Sequence, residues 1–223
     1  MWSDGTTKRT AGRSGRSGVQ RAVDPPNLPR RRRPTASATD IHFGRGVLAG
    51  ARLTDAFVVR RRTDGDLDVL EQVTARVRAA DDYPTYLPGD DYRRFLTRPA
   101  PLAAWVAELD DRICGHVAFS ARSSPAVVGV LRDAGITGEV GVVARLLVDP
   151  GTRRLGIARE LLHTARAEAV AQQGAAVLDV VESSHAAIAL YWSAGWVEVG
   201  RTSLLLPDGR QLRELVFAAD TEA

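Results

Sequence analysis

The stretch Val148-Asp149-Pro150-Gly151-Thr152-Arg153-Arg154-Leu155-Gly156-Ile157-Ala158 has the residues of an anion-binding turn. Pro150 and Gly151 interrupt the apolar run that ends at Val148, and Ile157, Leu161 and Ala165 then recur at helical spacing. The first turn of a helix exposes N–H groups with no intrahelical acceptor and carries partial positive charge, so it can hold a phosphate. Gly156 lets the backbone approach the anion, Ala158 keeps the first turn small, and Arg153, Arg154 and Arg159 add charge. Gly-Lys-Ser/Thr is missing, which argues against a P-loop, and no Gly-x-Gly-x-x-Gly spacing points to a dinucleotide fold. By itself, a basic helix start after a strand is also what an ordinary strand–turn–helix connection gives.

Few other residues offer chemistry. His116, within Gly115-His116-Val117-Ala118-Phe119, has an ordinary pKa near 6.5 and suits proton transfer, although a lone histidine in a strand is more often structural. Glu139 precedes an apolar strand and is a candidate base through water, or a cap on the strand's exposed end. His163 and His185 read as helix-surface residues, and His42 falls in the N-terminal tail. Asp179 lies in a buried-strand pattern and reads as structural, in need of a partner. Ser183 or Ser184 reads as a helix N-cap, and Tyr191, from spacing alone, as a core aromatic on a helix face. The loop Asp81-Asp82-Tyr83-Pro84-Thr85-Tyr86-Leu87-Pro88-Gly89-Asp90-Asp91 has acids and tyrosines that suit a cationic amine, and equally the residues of a proline-anchored surface loop. The single Cys114 excludes an intramolecular disulfide and a multi-cysteine zinc site, so no metal is expected.

These residues need elements to position them. Strands are expected at 56–62, 103–109 and 113–121, the last two a hairpin, then at 140–148, 177–181, 196–202 and 210–217. Helices are expected at 66–80, where Leu67, Leu70, Val73 and Val77 recur, and at 90–97, 125–133, 156–173 and 184–194. Gly174 is the expected C-terminal stop of the fourth helix. Such an order describes an α+β domain around a mixed sheet.

Two blocks carry a family likeness. Val148-x-Pro150-x-x-Arg153-x-x-Gly156-x-Ala158 resembles the acetyl-CoA signature of the GNAT (Gcn5-related N-acetyltransferase) superfamily, and Ala187-Ile188-Ala189-Leu190-Tyr191-Trp192-Ser193-Ala194-Gly195-Trp196 resembles its later Ala-x-x-Leu-Tyr-x-x-x-Gly-Phe/Trp segment. More loosely, the likeness runs from about 56 to 218. It implies a mixed, mostly antiparallel sheet of about seven strands, flanked by about four helices, with strands 4 and 5 splayed. It implies that acetyl-CoA is the co-substrate, its pyrophosphate on Arg153, Arg154, Leu155, Gly156, Ile157, Ala158 and Arg159 and its pantetheine along Leu146, Leu147 and Val148. A backbone N–H near Leu146 or Leu147 would polarise the acetyl carbonyl, and Tyr191 would be the general acid at the CoA sulfur. Ser184 stands where the family often has an asparagine that touches the cofactor arm, and Val142 where many relatives have a glutamate base. Acceptor binding falls to the first two helices, their loop with Tyr83 and Tyr86, and the C-terminal hairpin. The resulting expectation is direct acetyl transfer, in a ternary complex, to the primary amine of a small molecule. The alternatives are a protein or peptide acceptor and a non-catalytic CoA-binding sensor.

Charge separates the chain into two parts. Residues 1–50 hold ten Lys/Arg and three Asp/Glu, a balance of +7, and the other 173 hold 20 basic and 24 acidic residues, a balance of −4. Residues 1–50, rich in Arg, Pro and Gly, read as a disordered basic tail, and 51–223 as the catalytic domain. Nucleic acid would bind, if at all, through the tail run Arg30-Arg31-Arg32-Arg33. No run of apolar residues has the length of a membrane span, and the N-terminus lacks the apolar core of a secretory signal. A cytoplasmic location is therefore expected, and a homodimer is compatible with this reading.

Overall fold

A computed structural model describes residues 57–121 and 123–219; the expected tail, 1–50, lies outside them. The elements run β1 (Val58–Arg61), α1 (Leu67–Asp81), α2 (Tyr92–Thr97), β2 (Ala103–Leu109), β3 (Arg112–Ser120), α3 (Pro125–Asp133), β4 (Gly141–Val148), α4 (Ile157–Gln173), β5 (Ala176–Val181), α5 (His185–Ser193), β6 (Trp196–Leu205) and β7 (Gln211–Ala219). The final hairpin is longer than its apolar residues suggest, and β1 shorter. The described residues form five α-helices, the five expected from the pattern and one more than the family likeness implies, and the segment at 125–133 is a capped helix. Ser124 accepts from Val127 N–H, and Pro125 occupies the first turn, where no donor is needed.

Seven strands form one sheet in the order β1-β2-β3-β4-β5-β7-β6, antiparallel except between β4 and β5. One face packs α4 and α5 through Leu161, Leu162, Ala165, Ile188 and Tyr191 against Val143, Leu178 and Phe217. On the other face, α1 and α2 cover the β2–β4 half through Leu70, Val73 and Leu96. The β4–β7 half is covered by α3 through Val127 and Leu131 against Val142, Val177 and Val216. This second face thus has two separate covers, one on either side of the β4–β5 seam.

That seam closes at one end only. The parallel pairing consists of Gly141↔Ala176 and Val142↔Val177. Beyond it β4 leaves β5 and stays with β3, which produces the splay expected between strands 4 and 5. At Gly141 a Cβ would lie 2.5 Å from the Ala169 Cβ, so only glycine allows α4 to sit this close to the closed end. A bulge accompanies the divergence: His116 pairs with Leu147 and Ala118 with Ala144, which places three steps of β4 opposite two of β3. Within the bulge Arg145 has φ of 56°. The extra residue shifts the side-chain alternation, so Val143 and Val148, five apart, share the α4 face.

Candidate active site

The phosphate-type turn forms at the open end of the seam. Pro150–Thr152 make a 3-10 turn capped by Asp149, whose side chain accepts from Gly151 N–H at 3.2 Å. Arg154 and Gly156 then take positive φ, 70° and 86°, and α4 starts at Ile157. The first intrahelical bond runs from Glu160 N–H to the Gly156 carbonyl, so the preceding amides point out of the helix end. Nothing lies within 4 Å of where a Gly156 Cβ would be, so the cradle opens outward. The three arginines divide their tasks. Arg153 pairs with Asp81 at the end of α1, and Arg159 donates to the Ser193 carbonyl and hydroxyl at the end of α5. Arg154 has no protein partner among the described residues and is free for an anion. Leu155 beside it is half-exposed. Ser184 takes the N-cap position of α5, but its hydroxyl makes no capping bond, which leaves it available to a ligand.

Beside the seam, Tyr191 projects from α5 among Trp196 and Phe217, with ring centroids 6.3 and 5.8 Å away. Burial, with Tyr83 and Asp179 adding to it, raises its phenol pKa well above the usual value. Tyr83, from the α1–α2 connection, stands edge-on to Phe95 at 5.8 Å. Burial pushes its pKa up to about 12, against a lowering from Arg145, whose backbone amide also reaches the phenol. The two tyrosines and Asp179 of β5 are thus electrostatic neighbours around the opening. Tyr86 is half-buried in the same connection and has no recorded polar contact.

Neither expected base has the geometry for the role. His116 is fully buried. Its Nδ1 lies 3.0 Å from the Arg145 carbonyl and its Nε2 3.4 Å from the Arg62 guanidinium. A guanidinium only donates, so Nε2 accepts and the proton sits on Nδ1, which donates to the carbonyl freed by the bulge. Burial, and after it the charges of Arg62 and Arg145, brings its pKa down to about 3. The histidine is a pin for the β4 bulge, and its one lone pair is occupied. Glu139 is exposed and lies beyond the closed end of the seam, roughly 20 Å of extended chain from Leu146. Three of the four acids of the α1–α2 connection are also engaged: Asp81 with Arg153, Asp90 with Arg78 at 3.1 Å, and Asp91 as the cap of α2.

The sequence reading overlooked Glu214. It falls at an inward position of β7, between Leu212 and Val216 in the alternation, and is a carboxyl in an apolar register. Asp179, read as structural, is exposed on the same face of the sheet. Among the described residues no group of three His, Cys, Asp or Glu side chains is placed to hold a metal ion, and no helix is long and apolar enough to cross a membrane. Two surface depressions, of about 540 Å³ beside Arg61 and Trp105 and about 340 Å³ beside His185 and Trp192, lie outside the opening.

Residues 72–196, more than half of the chain, match the model of the acetyltransferase (GNAT) family, and the chain belongs to that family of acyltransferase enzymes. No curated protein matches its sequence significantly. Among solved structures it is similar to Arabidopsis thaliana NAA60 in complex with acetyl-CoA, with 20% identity and a TM-score of 0.56 over 75% of this chain and 100% of that one. The ribosomal-protein-S18-alanine N-acetyltransferase of Escherichia coli is similar at 18% identity and a TM-score of 0.53, covering 74% and 93%. A putative phosphinothricin N-acetyltransferase gives 16% and 0.53, covering 74% and 98%. At these identities the likeness concerns the fold.

Proposed function

We propose that this protein transfers an acetyl group from acetyl-CoA directly to the primary amine of a small molecule, within a ternary complex. The observation that carries the reading is the β4–β5 opening, which runs from Tyr191 to the free amides at Gly156–Ala158. The pyrophosphate would rest on those amides and on Arg154, with the Ser184 hydroxyl toward the cofactor arm. Pantetheine would lie along Leu146–Val148 as an extra strand, where β5 no longer pairs with β4. A bulge N–H at Leu146 or Leu147 would polarise the acetyl carbonyl, which becomes an oxyanion when nitrogen attacks. Tyr191, held protonated by its surroundings, would give its proton to the departing sulfur.

A small acceptor is favoured by the confinement of the second face. With Tyr83 packed on the α1–α2 cover on one side and α3 covering the other, the acceptor would enter a recess between the two covers. Two of the similar structures carry names of protein acetyltransferases, so peptides form the second arm of the test. Acetyl-CoA binding is measured by calorimetry, and thiol release is followed with a panel of amines and of peptides with free N-termini. The expectation is micromolar binding and turnover with amines. Turnover with peptides alone overturns the small-molecule reading, and binding without turnover on either arm makes the chain a sensor.

A further inference from the structure

We propose that Asp179 and Glu214 form a carboxylate pair that receives the acceptor as an ammonium ion and removes its proton. The inference rests on the acetyltransferase reading above and supplies the base that reading lacks.

The geometry begins with strand register. Asp179 pairs with Val216 and Val181 with Glu214, so the two acids are diagonal neighbours on one face of the β5–β7 ladder. Such neighbours have backbones about 7–8 Å apart, within reach of a long side chain. That face is the one with two separate covers, and the uncovered strip between them is where β4 departs from β5. Asp179 is exposed there, and Glu214 is nine-tenths buried behind it.

Neither acid has a hydrogen-bond or ion-pair partner among the described side chains. A buried carboxylate in this state is costly unless it is paired or protonated. The titratable groups electrostatically close to Asp179 are Tyr83 from the α1–α2 connection and Tyr191, which packs on the opposite face of the sheet. From α3 come Val127, Val130 and Leu131, and β6 sets Thr202 opposite Glu214. Arg145, which interacts with Tyr83, donates to the Leu96 and Pro99 carbonyls. Burial and then the Asp179 charge raise the Glu214 pKa to about 7. Near neutrality Glu214 is therefore divided between its protonated and ionised forms, with Asp179 as its neighbour. A site with net negative charge, two tyrosines and no built-in cation fits a compact primary ammonium with no carboxylate beside it.

The proton balance follows. The ammonium gives its first proton to the pair, which releases it to water in the recess. Neutral nitrogen attacks the carbonyl carbon; the C–N bond forms, the C–S bond breaks, and its electron pair leaves on sulfur. Sulfur takes a proton from Tyr191, and the second proton of nitrogen returns to Tyr191 through water, without the pair. One proton is released overall.

Asp179→Asn and Glu214→Gln separate this proposal from the one beneath it. Acetyl-CoA affinity, measured by calorimetry, should stay within about twofold of wild type in both. With 1,4-diaminobutane and ethanolamine as probes, Asp179→Asn should lower kcat/KM by about 100-fold or more, the usual worth of a general base. With aniline, neutral at pH 7, the same variant should lose less than about fivefold, since no ammonium proton must be removed. Glu214→Gln should move the acid limb of the kcat/KM profile to lower pH, because Asp179 no longer ionises beside a second acid. Equal losses for aniline and the aliphatic amines, or an unmoved acid limb, would overturn the pair. Failure of wild type to bind either aliphatic amine in the presence of CoA would do so too. Failure to bind acetyl-CoA at all would instead remove the acetyltransferase reading.

Discussion

His116 illustrates how a residue of catalytic type is taken out of chemistry by its neighbours. Its proton is donated to the bulge carbonyl of Arg145 and its lone pair is covered by Arg62, so it holds the backbone and does not exchange protons. His116→Ala leaves that carbonyl without its donor and a cavity in a buried site, while Arg62 keeps its bond to the Leu96 carbonyl, at a cost of about 2–4 kcal/mol in chemical denaturation. The pH–rate profile should keep its shape, since no titrating catalytic group is removed. Tyr191 contrasts with it. Its hydroxyl has no recorded protein partner, and its neighbours disfavour the phenolate, so its proton remains available to a leaving thiolate. Tyr191→Phe is expected to bind acetyl-CoA as wild type does and to lose about 10- to 100-fold in kcat under single-turnover conditions. Unchanged single-turnover rates would assign the tyrosine to packing alone.

At the scale of elements, the site depends on where β4 stops pairing. Two residue pairs join β4 to β5, then the bulge at Arg145 turns β4 toward β3 and the seam opens. The helix α4 is fixed at both ends of this opening. At its start, Gly156 at φ 86° aims the amides into the cradle; further along, Ala169 sits against Gly141. Gly156→Ala has room for its methyl but not the backbone conformation, which costs about 1 kcal/mol and tilts the first turn. The expected result is an acetyl-CoA KM several-fold higher with kcat nearly unchanged. Equal affinity by calorimetry would mean that the anion does not rest on this turn. The helix starts and the apolar faces of α1 and α4 follow from periodicity, and the structure has them within one or two residues of the expected positions. The bulge is a different matter, since nothing in Val142–Val148 marks the extra residue; it becomes necessary only when β3 and β4 are aligned.

Over the whole molecule, buried titratable groups set the pH dependence of stability, and they act in opposite directions. The His116 pKa falls from 6.5 to about 3 on folding, so the unfolded chain binds the extra proton and stability is lost as pH drops below 6.5. Asp66, held down to about 2 by Arg60, adds a further loss below 3.8. For Glu214 the rise from 4.5 to about 7 makes the folded chain bind the extra proton, so stability is lost as pH climbs through that window. Between about 4.5 and 6.5 the two effects oppose each other. Thermal melts of wild type should therefore change little across this range, whereas Glu214→Gln should grow more stable toward pH 6.5 and exceed wild type at pH 8. A melting profile unaltered by the substitution would mean that Glu214 is not a carboxyl strained by burial.

By itself the sequence determined the family likeness, the helices, most strand positions and the anion-binding turn, because these depend on short-range spacing and local backbone chemistry. Only the tertiary structure decided which acids and bases remain free. Asp81, Asp90 and Asp91 are far from Asp179 in sequence and look equally available, yet the first three are paired or capping and the last is not. His116 looked suited to proton transfer and Glu214 drew no attention, and folding reversed both, because burial and partners from distant segments set the proton affinity of each.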